Sequence, residues 1–343
     1  MLTHRSIINN GKYANRTGIV GENDVVLIPL PFFYIYSITH VIVEPLVYGY
    51  KIVVLENFDP LKCLEVIQSE GCNSIWAVPT IYMALIHHPR FNAFNTKSIK
   101  YGCIGGAVCP QELMKIIMDK MHLKSMYLAY GLTETASVVT DFIVEDPADP
   151  RLVTVGVPIP GVEVSIRDPD NHREYPVDTH GEICVKGFNV MTGYYKIEEA
   201  TGEAIDKDGW FHTGDLGHLL SSGDLVLDGR IKELIIRGGE NIYPKEVENL
   251  LLAIPGIQDV QVAGIPSKKY GEEVAAFIIL KQGMGQVTEK EVIEYCKERI
   301  SLYKTPKYVF FVDSFPLSGS GKVQKFRLSE LGFNTIQEKG IAT

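Results

Sequence analysis

Between Asp24 and Met121, short apolar runs alternate with segments whose apolar residues recur at helical spacing. This alternation restricts the fold more than any other feature. Asp24–Leu30, Lys51–Leu55, Ser74–Val78 and Lys100–Ile104 read as strands, and Pro60–Glu70, Thr80–His87 and Pro110–Met121 as helices. In the last helix Leu113, Ile116, Ile117 and Met121 fall on one face. Such alternation favours a largely parallel sheet covered by helices. From about Pro147 the pattern changes to short strands, Val162–Arg167, Glu182–Lys186 and Leu225–Asp228, separated by Gly and Pro. That spacing predicts a small barrel-like or meander unit. After Gly229 the segments Lys245–Ala253 and Thr288–Ile300 read as helices, and Asp259–Ile265 and Val274–Leu280 as strands. Thr288 and Glu291 open the second helix as a capping box. The expected class is α/β, in three parts: an α/β part over residues 1–146, a β-rich part over 147–229 and a compact α+β domain over 230–343.

A chain of 343 residues is long enough for two or three domains. Its net charge of −9 leaves no basic excess to displace counterions from nucleic acid or an anionic membrane, so neither is an expected partner. The six cysteines are scattered, with no C-x-x-C pair and no histidine cluster beside them. Neither a zinc site nor a disulfide framework is expected from that spacing, and a reducing cytoplasm fits it. No apolar run is long enough for a membrane span, and Met1–Ser6 has no apolar signal segment behind its charges.

Four clusters stand where chemistry is to be expected, each with a plainer alternative. Gly105-Gly106-Ala107 follows the strand Lys100–Ile104, where small residues let a flat ligand approach the backbone, or merely form a tight turn. Tyr130-Gly131-Leu132-Thr133-Glu134-Thr135 follows the strand Ser125–Ala129. There Tyr130 is suited to stack on a base, Thr133 to bond a phosphate and Glu134 to hold magnesium. The alternative is a helix start, with Thr133 capping and Glu134 in the first turn. Asp215, in Trp210-Phe211-His212-Thr213-Gly214-Asp215, suits two vicinal hydroxyls such as those of ribose, or is a β-turn aspartate. Gly238 and Gly239 read as a strand edge passed closely by a ligand. The run Ser318-Gly319-Ser320-Gly321-Lys322 looks like a phosphate loop but fails its spacing. The motif needs glycine where Pro316 stands and Ser or Thr where Val323 stands. By itself it is a surface turn with a solvated lysine.

Taken in order, these clusters with Gly181–Gly187 and Gly229–Glu248 resemble the adenylate-forming superfamily of acyl- and aryl-CoA synthetases, luciferase and peptide-synthetase adenylation domains. The resemblance runs along essentially the whole chain. It is most like the medium- and long-chain fatty acyl-CoA synthetases in Ile236–Glu248 and Gly209–Gly217. It implies an AMP-forming acid–thiol ligase that uses ATP, Mg2+ and coenzyme A on a fatty or similar hydrophobic carboxylic acid. Gly105, Gly106, Ala107, Tyr130 and Gly131 would frame the nucleotide base, Thr133 would contact phosphate and Glu134 would hold the metal. Asp215 would take the ribose hydroxyls with Arg230 beside it, and Gly238 and Gly239 would line the CoA tunnel. Lys322 matches the catalytic lysine, carried on a C-terminal domain that turns about a hinge at Lys232.

The chain also departs from the family. The family's Ser/Thr/Gly-rich phosphate loop would stand just before Leu2-Thr3-His4, so the sequence resembles one begun inside the larger domain, and little turnover is expected of it alone. Strands left uncovered would expose apolar surface, so association with a partner fragment or with another copy is expected. Tyr34 falls where many relatives carry a histidine near the acyl pocket, affecting acyl positioning or simply keeping an aromatic wall. Two other readings stay open: an aryl- or amino-acid-activating relative, and a non-catalytic nucleotide- or acyl-binding module. An amino-acid activator needs an acidic residue for the substrate ammonium, and none between Tyr34 and Tyr130 is assigned that role.

Overall fold

A computed structural model describes residues 1–15, 18–106, 109, 111–281, 287–318 and 323–338. The chain divides into two units: Met1–Thr213 with Gly217–Leu227, and Gly214–Leu216 with Asp228–Thr343.

The first unit is built on a seven-stranded sheet. Its strands are β1 (Val25–Ile28), β2 (Lys51–Val54), β3 (Ser74–Ala77), β4 (Tyr101–Ile104), β5 (Ser125–Tyr130), β6 (Thr140–Val144) and β7 (Val157–Pro158), in the order β2-β1-β3-β4-β5-β6-β7. The pairs from β2 through β5 are parallel, as the alternation predicts, and β6 and β7 add two antiparallel strands. Strand β3 is buried at every position, which fits a parallel sheet covered on both faces. Helices 60–70, 79–86 and 111–121 pack side by side between the strands they connect. Helix Pro60–Glu70 shows why the sequence stops and starts where it does. The Asp59 carboxylate accepts from the Lys62 amide at 2.7 Å, Pro60 opens the first turn, and Gly71 ends it in the left-handed region. Leu27, Ile28, Leu64, Ile67, Ile75 and Trp76 fill the core without exposure. The exposed large apolar side chains of this unit include Phe33, Ile42, Leu46 and the edge-strand residue Val54.

A four-stranded sheet follows: β8 (Val162–Arg167), β9 (Gly181–Gly187), β10 (Phe211–Leu219) and β11 (Leu225–Arg230), in the meander order β11-β10-β9-β8. The second unit holds a five-stranded sheet of β12 (Ile235–Arg237), β13 (Glu240–Ile242), β14 (Ile257–Ser267), β15 (Gly271–Leu280) and β16 (Tyr308–Phe311). Helices Pro244–Leu252 and Lys325–Glu338 pack on β14, and Thr288 caps Glu289–Lys297 in the expected box. The segment Ile38–Val43 is a π-helix, which no periodicity in the sequence foreshadows.

Candidate active site

In the first unit the two candidate clusters follow neighbouring strands. Gly105 and Gly106 come after β4, and Tyr130 is the last residue of β5. Ala107 lies outside the described residues. A Cβ placed on Gly105 would meet the Tyr36 ring at 3.1 Å, so an aromatic side chain of this chain already lies against that glycine. The Tyr36 hydroxyl contacts Cys103 Sγ at 2.9 Å. Gly106 has φ of +76°, a conformation that favours glycine. Tyr130 is only 7% exposed and packs with Val138, Val139, Ile159 and Val162.

The loop after β5 is held in an unusual shape. The chain folds back so closely that a Cβ on Gly131 would collide with the Ser137 carbonyl, so this position must be glycine. Thr133–Thr135 forms a single 3-10 turn rather than the start of a helix. Its side-chain bond runs between Thr135 and Leu132, so Thr133 does not cap it, and the helix-start alternative fails. Ala136 and Ser137 then take φ values of 52° and 103°, strained for residues with a side chain. Buried Asn10 holds this shape: its Nδ2 donates to the carbonyls of Val138 at 2.8 Å and Thr135 at 3.3 Å, and its Oδ1 accepts from the Val138 amide at 3.0 Å. Thr39 donates to the Ala136 carbonyl and Asn189 to that of Val138. The result leaves Thr133 exposed and Glu134 half-buried. Glu134 Oε1 accepts from the Tyr194 hydroxyl at 3.0 Å. Burial, then the Glu134 charge, raise the Tyr194 phenol, which therefore stays a hydrogen-bond donor. Oε2 of Glu134 has no hydrogen-bond partner among the described residues, so a carboxylate oxygen remains for a hard cation. Asn10, Asn189 and Tyr194 were missed by sequence reasoning, because they lie far along the chain from the loop they hold.

Tyr34 precedes the short helix Ile35–Ser37 and packs on Phe33, with ring centroids 4.6 Å apart. An acidic residue does occur in this region: Glu44 is fully buried. His40 Nδ1 lies 2.7 Å from its Oε1, and the Tyr50 hydroxyl donates to Oε2 at 2.9 Å. Both oxygens are thus engaged by the protein itself. Burial pushes the Glu44 carboxyl above its ordinary range, against the opposing pull of His40 and Tyr50.

In the second unit Asp215 is part of strand β10 and does not lie in a β-turn, which corrects the plainer reading of that residue. Its side chain is 7% exposed, and its Oδ1 lies 3.0 Å from Nε of Arg230, whose side chain is 54% exposed. Lys232 is exposed in the 3-10 turn Ile231–Glu233. Gly238 and Gly239 are not on a strand edge; they form the exposed turn between β12 and β13, with φ of 61° and 90°. The Gly238 amide donates to the Tyr270 carbonyl at 2.8 Å. Lys322 lies outside the described residues; on either side, Leu317 and Val323 form an antiparallel bridge. Nearby in sequence, Lys325 reaches Glu248 at 2.6 Å and Glu233 at 3.7 Å.

The model of the AMP-binding enzyme family matches residues 1–195, more than half of the chain, and that of the AMP-binding enzyme C-terminal domain matches residues 246–322. The chain belongs to the AMP-binding enzyme family. Within that family it is 39% identical over 330 residues to the putative acyl-CoA synthetase YngI of Bacillus subtilis, covering 96% of this chain and 60% of that relative. It is 36% identical to the mitochondrial medium-chain acyl-CoA ligase ACSF2 of Danio rerio, covering 96% of this chain and 55% of that relative. Among solved structures, ATP-bound MatB from Rhodopseudomonas palustris matches with a TM-score of 0.86 and 30% identity, covering 98% of this chain and 65% of that one. The chain therefore spans between half and two thirds of the length of these relatives.

Proposed function

We propose that this chain carries nucleotide- and acyl-handling parts of an AMP-forming acid–thiol ligase, an acyl-CoA synthetase acting on a fatty or similarly hydrophobic carboxylic acid. The observation that carries the reading is the 39% identity, over 96% of this chain, to a relative named as a putative acyl-CoA synthetase. In this reading residues 1–146 and 147–229 form the larger catalytic body and 230–343 the mobile domain. Gly105, Gly106, Ala107, Tyr130 and Gly131 border the adenine, Thr133 contacts phosphate, and Asp215 takes the ribose hydroxyls while Arg230 orients it. The donor set at Glu134 suits Mg2+, which when bound would offset phosphate charge. Lys232 serves as the hinge, Gly238 and Gly239 border the CoA arm, and Tyr34 forms part of the acyl wall.

The substrate carboxylate attacks the α-phosphorus of ATP, the α–β P–O bond breaks and pyrophosphate leaves. Lys322 offsets the charge that builds on the transferring oxygens. The CoA thiol then loses its proton, its sulfur bonds to the acyl carbon, and the anhydride C–O bond breaks to release AMP. The engagement of both Glu44 oxygens by His40 and Tyr50 favours a hydrophobic acid over an amino acid, because this carboxylate is already partnered. All six cysteines are free thiols, which supports a reducing compartment such as the cytoplasm.

A stable acyl-adenylate mimic, octanoyl sulfamoyl-adenosine, tests the reading without turnover. It is expected to bind at least ~10-fold more tightly than AMP, since it fills both subsites. Equal or weaker binding than AMP would overturn the acyl assignment.

A further inference from the structure

His172, Glu182 and His212 are far apart in sequence, and their spacing gives no metal-site signature. The first unit nevertheless brings one ligand atom of each within 4.8 Å of the other two. Two of the three are well buried: the side chains of His212 and Glu182 are 8% and 7% exposed. Glu182 Oε2 lies 2.7 Å from His212 Nδ1, so these two ligand atoms already face one another. The other ring nitrogen, Nε2, is buried and faces the Asp206 carboxylate at 3.7 Å, which suits the tautomer that carries its proton on Nε2 and leaves Nδ1 for a metal.

The third residue is delivered by a tightly built turn. The Asp168 carboxylate accepts from the amides of Asp170 and Asn171 and from the Tyr175 hydroxyl. His172 follows with φ of 59°, and its amide donates to the Asp168 carbonyl. This places its exposed ring edge-on to His212, with centroids 4.3 Å apart. Two carboxylates, Glu182 and Asp206, stand beside the cluster, which suits a dication, and the Arg167 guanidinium lies 3.4 Å from Asp206. Cys184 Sγ lies 3.4 Å from His212 Nδ1.

We propose that His172, Glu182 and His212 bind a transition-metal dication of the zinc type, joining the 168–175 turn to strands β9 and β10. Two imidazoles and a carboxylate select zinc or nickel over magnesium or calcium. Ligands around zinc at roughly 2.0–2.2 Å stand about 3.4 Å apart, closer than the 4.8 Å within which these atoms lie, so the exposed His172 ring moves in by up to roughly an ångström on binding. The site lies outside the proposed nucleotide chemistry and does not depend on it.

The test is calorimetric titration of the metal-stripped full chain with zinc chloride, alongside His172→Ala and, as a histidine outside the site, His218→Ala, whose ring packs on His180 with centroids 4.3 Å apart. His172 is exposed, so its loss leaves the fold in place, which circular dichroism verifies. The expected result is one saturable zinc per chain, weakened at least ~10-fold in His172→Ala and unchanged in His218→Ala. Zinc should also raise the thermal midpoint of the wild type but not that of His172→Ala. No saturable binding, or binding of equal strength in His172→Ala, would overturn the proposal.

Discussion

The loop over residues 131–138 and the turn at Gly238–Gly239 both use backbone that ordinary residues avoid, and they reach it by opposite means. In the turn the demand is met locally by two exposed glycines, and a Cβ on Gly239 would meet nothing within 4 Å. In the loop it falls partly on Ala136 and Ser137, which have side chains and are held in place by Asn10, Thr39 and Asn189. Glycine meets such a demand cheaply but leaves the backbone free to move. Strain carried by substituted residues persists only where the surroundings over-determine it. The loop is thus a fixed platform for Thr133 and Glu134, while the turn's glycines leave its backbone freer to change setting.

Four substitutions can break or sharpen this contrast. The largest effect is expected from Gly131→Ala, whose methyl would run into backbone at Ser137; a loss of about 3 kcal/mol in urea unfolding is expected. Asn10→Ala should follow at about 2–3 kcal/mol, because it leaves buried backbone groups of Val138 and Thr135 unpaired. In Gly239→Ala the only cost is the left-handed conformation, about 1 kcal/mol by thermal unfolding. If Gly239→Ala proved as costly as Asn10→Ala, the contrast between the two regions would collapse.

The smallest effect concerns pH. Glu44 is buried beside the π-helix, and its folded carboxyl titrates above its unfolded range. The folded state therefore holds this proton more tightly than the unfolded chain. The group favours folding below the ordinary carboxylate range, and that contribution is lost as pH rises through the raised folded value. Glu44→Gln should flatten this decline between pH 4 and 7 in urea titrations. A steeper decline in the variant would show that the ion pair with His40 outweighs burial.

The same contrast explains what was legible in the sequence. The parallel strands β1 to β5 and their helices are written locally, in apolar runs, in Asp59-Pro60 and in Gly71, so they could be read directly. Strands β6 and β7 could not, because their pairing depends on the chain turning back after Ser137. Gly131 was noticed as part of a cluster, but its reason, the Ser137 carbonyl behind it, is tertiary. The turn alternative for Asp215 rested on the glycine before it; in the fold Gly214 takes φ of 70° within a continuous strand. Asn10 and the π-helix over 38–43 carry no local signal, since the partners that need them are up to 128 residues away. The residues that read most plainly as chemistry, Thr133, Glu134 and Asp215, did so because few structural duties call for that order of residue types.

The central claim is that these residues build an adenylate site, and calorimetric titration with AMP and magnesium, alongside Asp215→Ala, tests it most directly. The account predicts saturable binding of one AMP per chain, weakened at least ~10-fold by the substitution, about 1.4 kcal/mol. A folded chain that binds no AMP, or that binds it equally well without the Asp215 carboxylate, would contradict it.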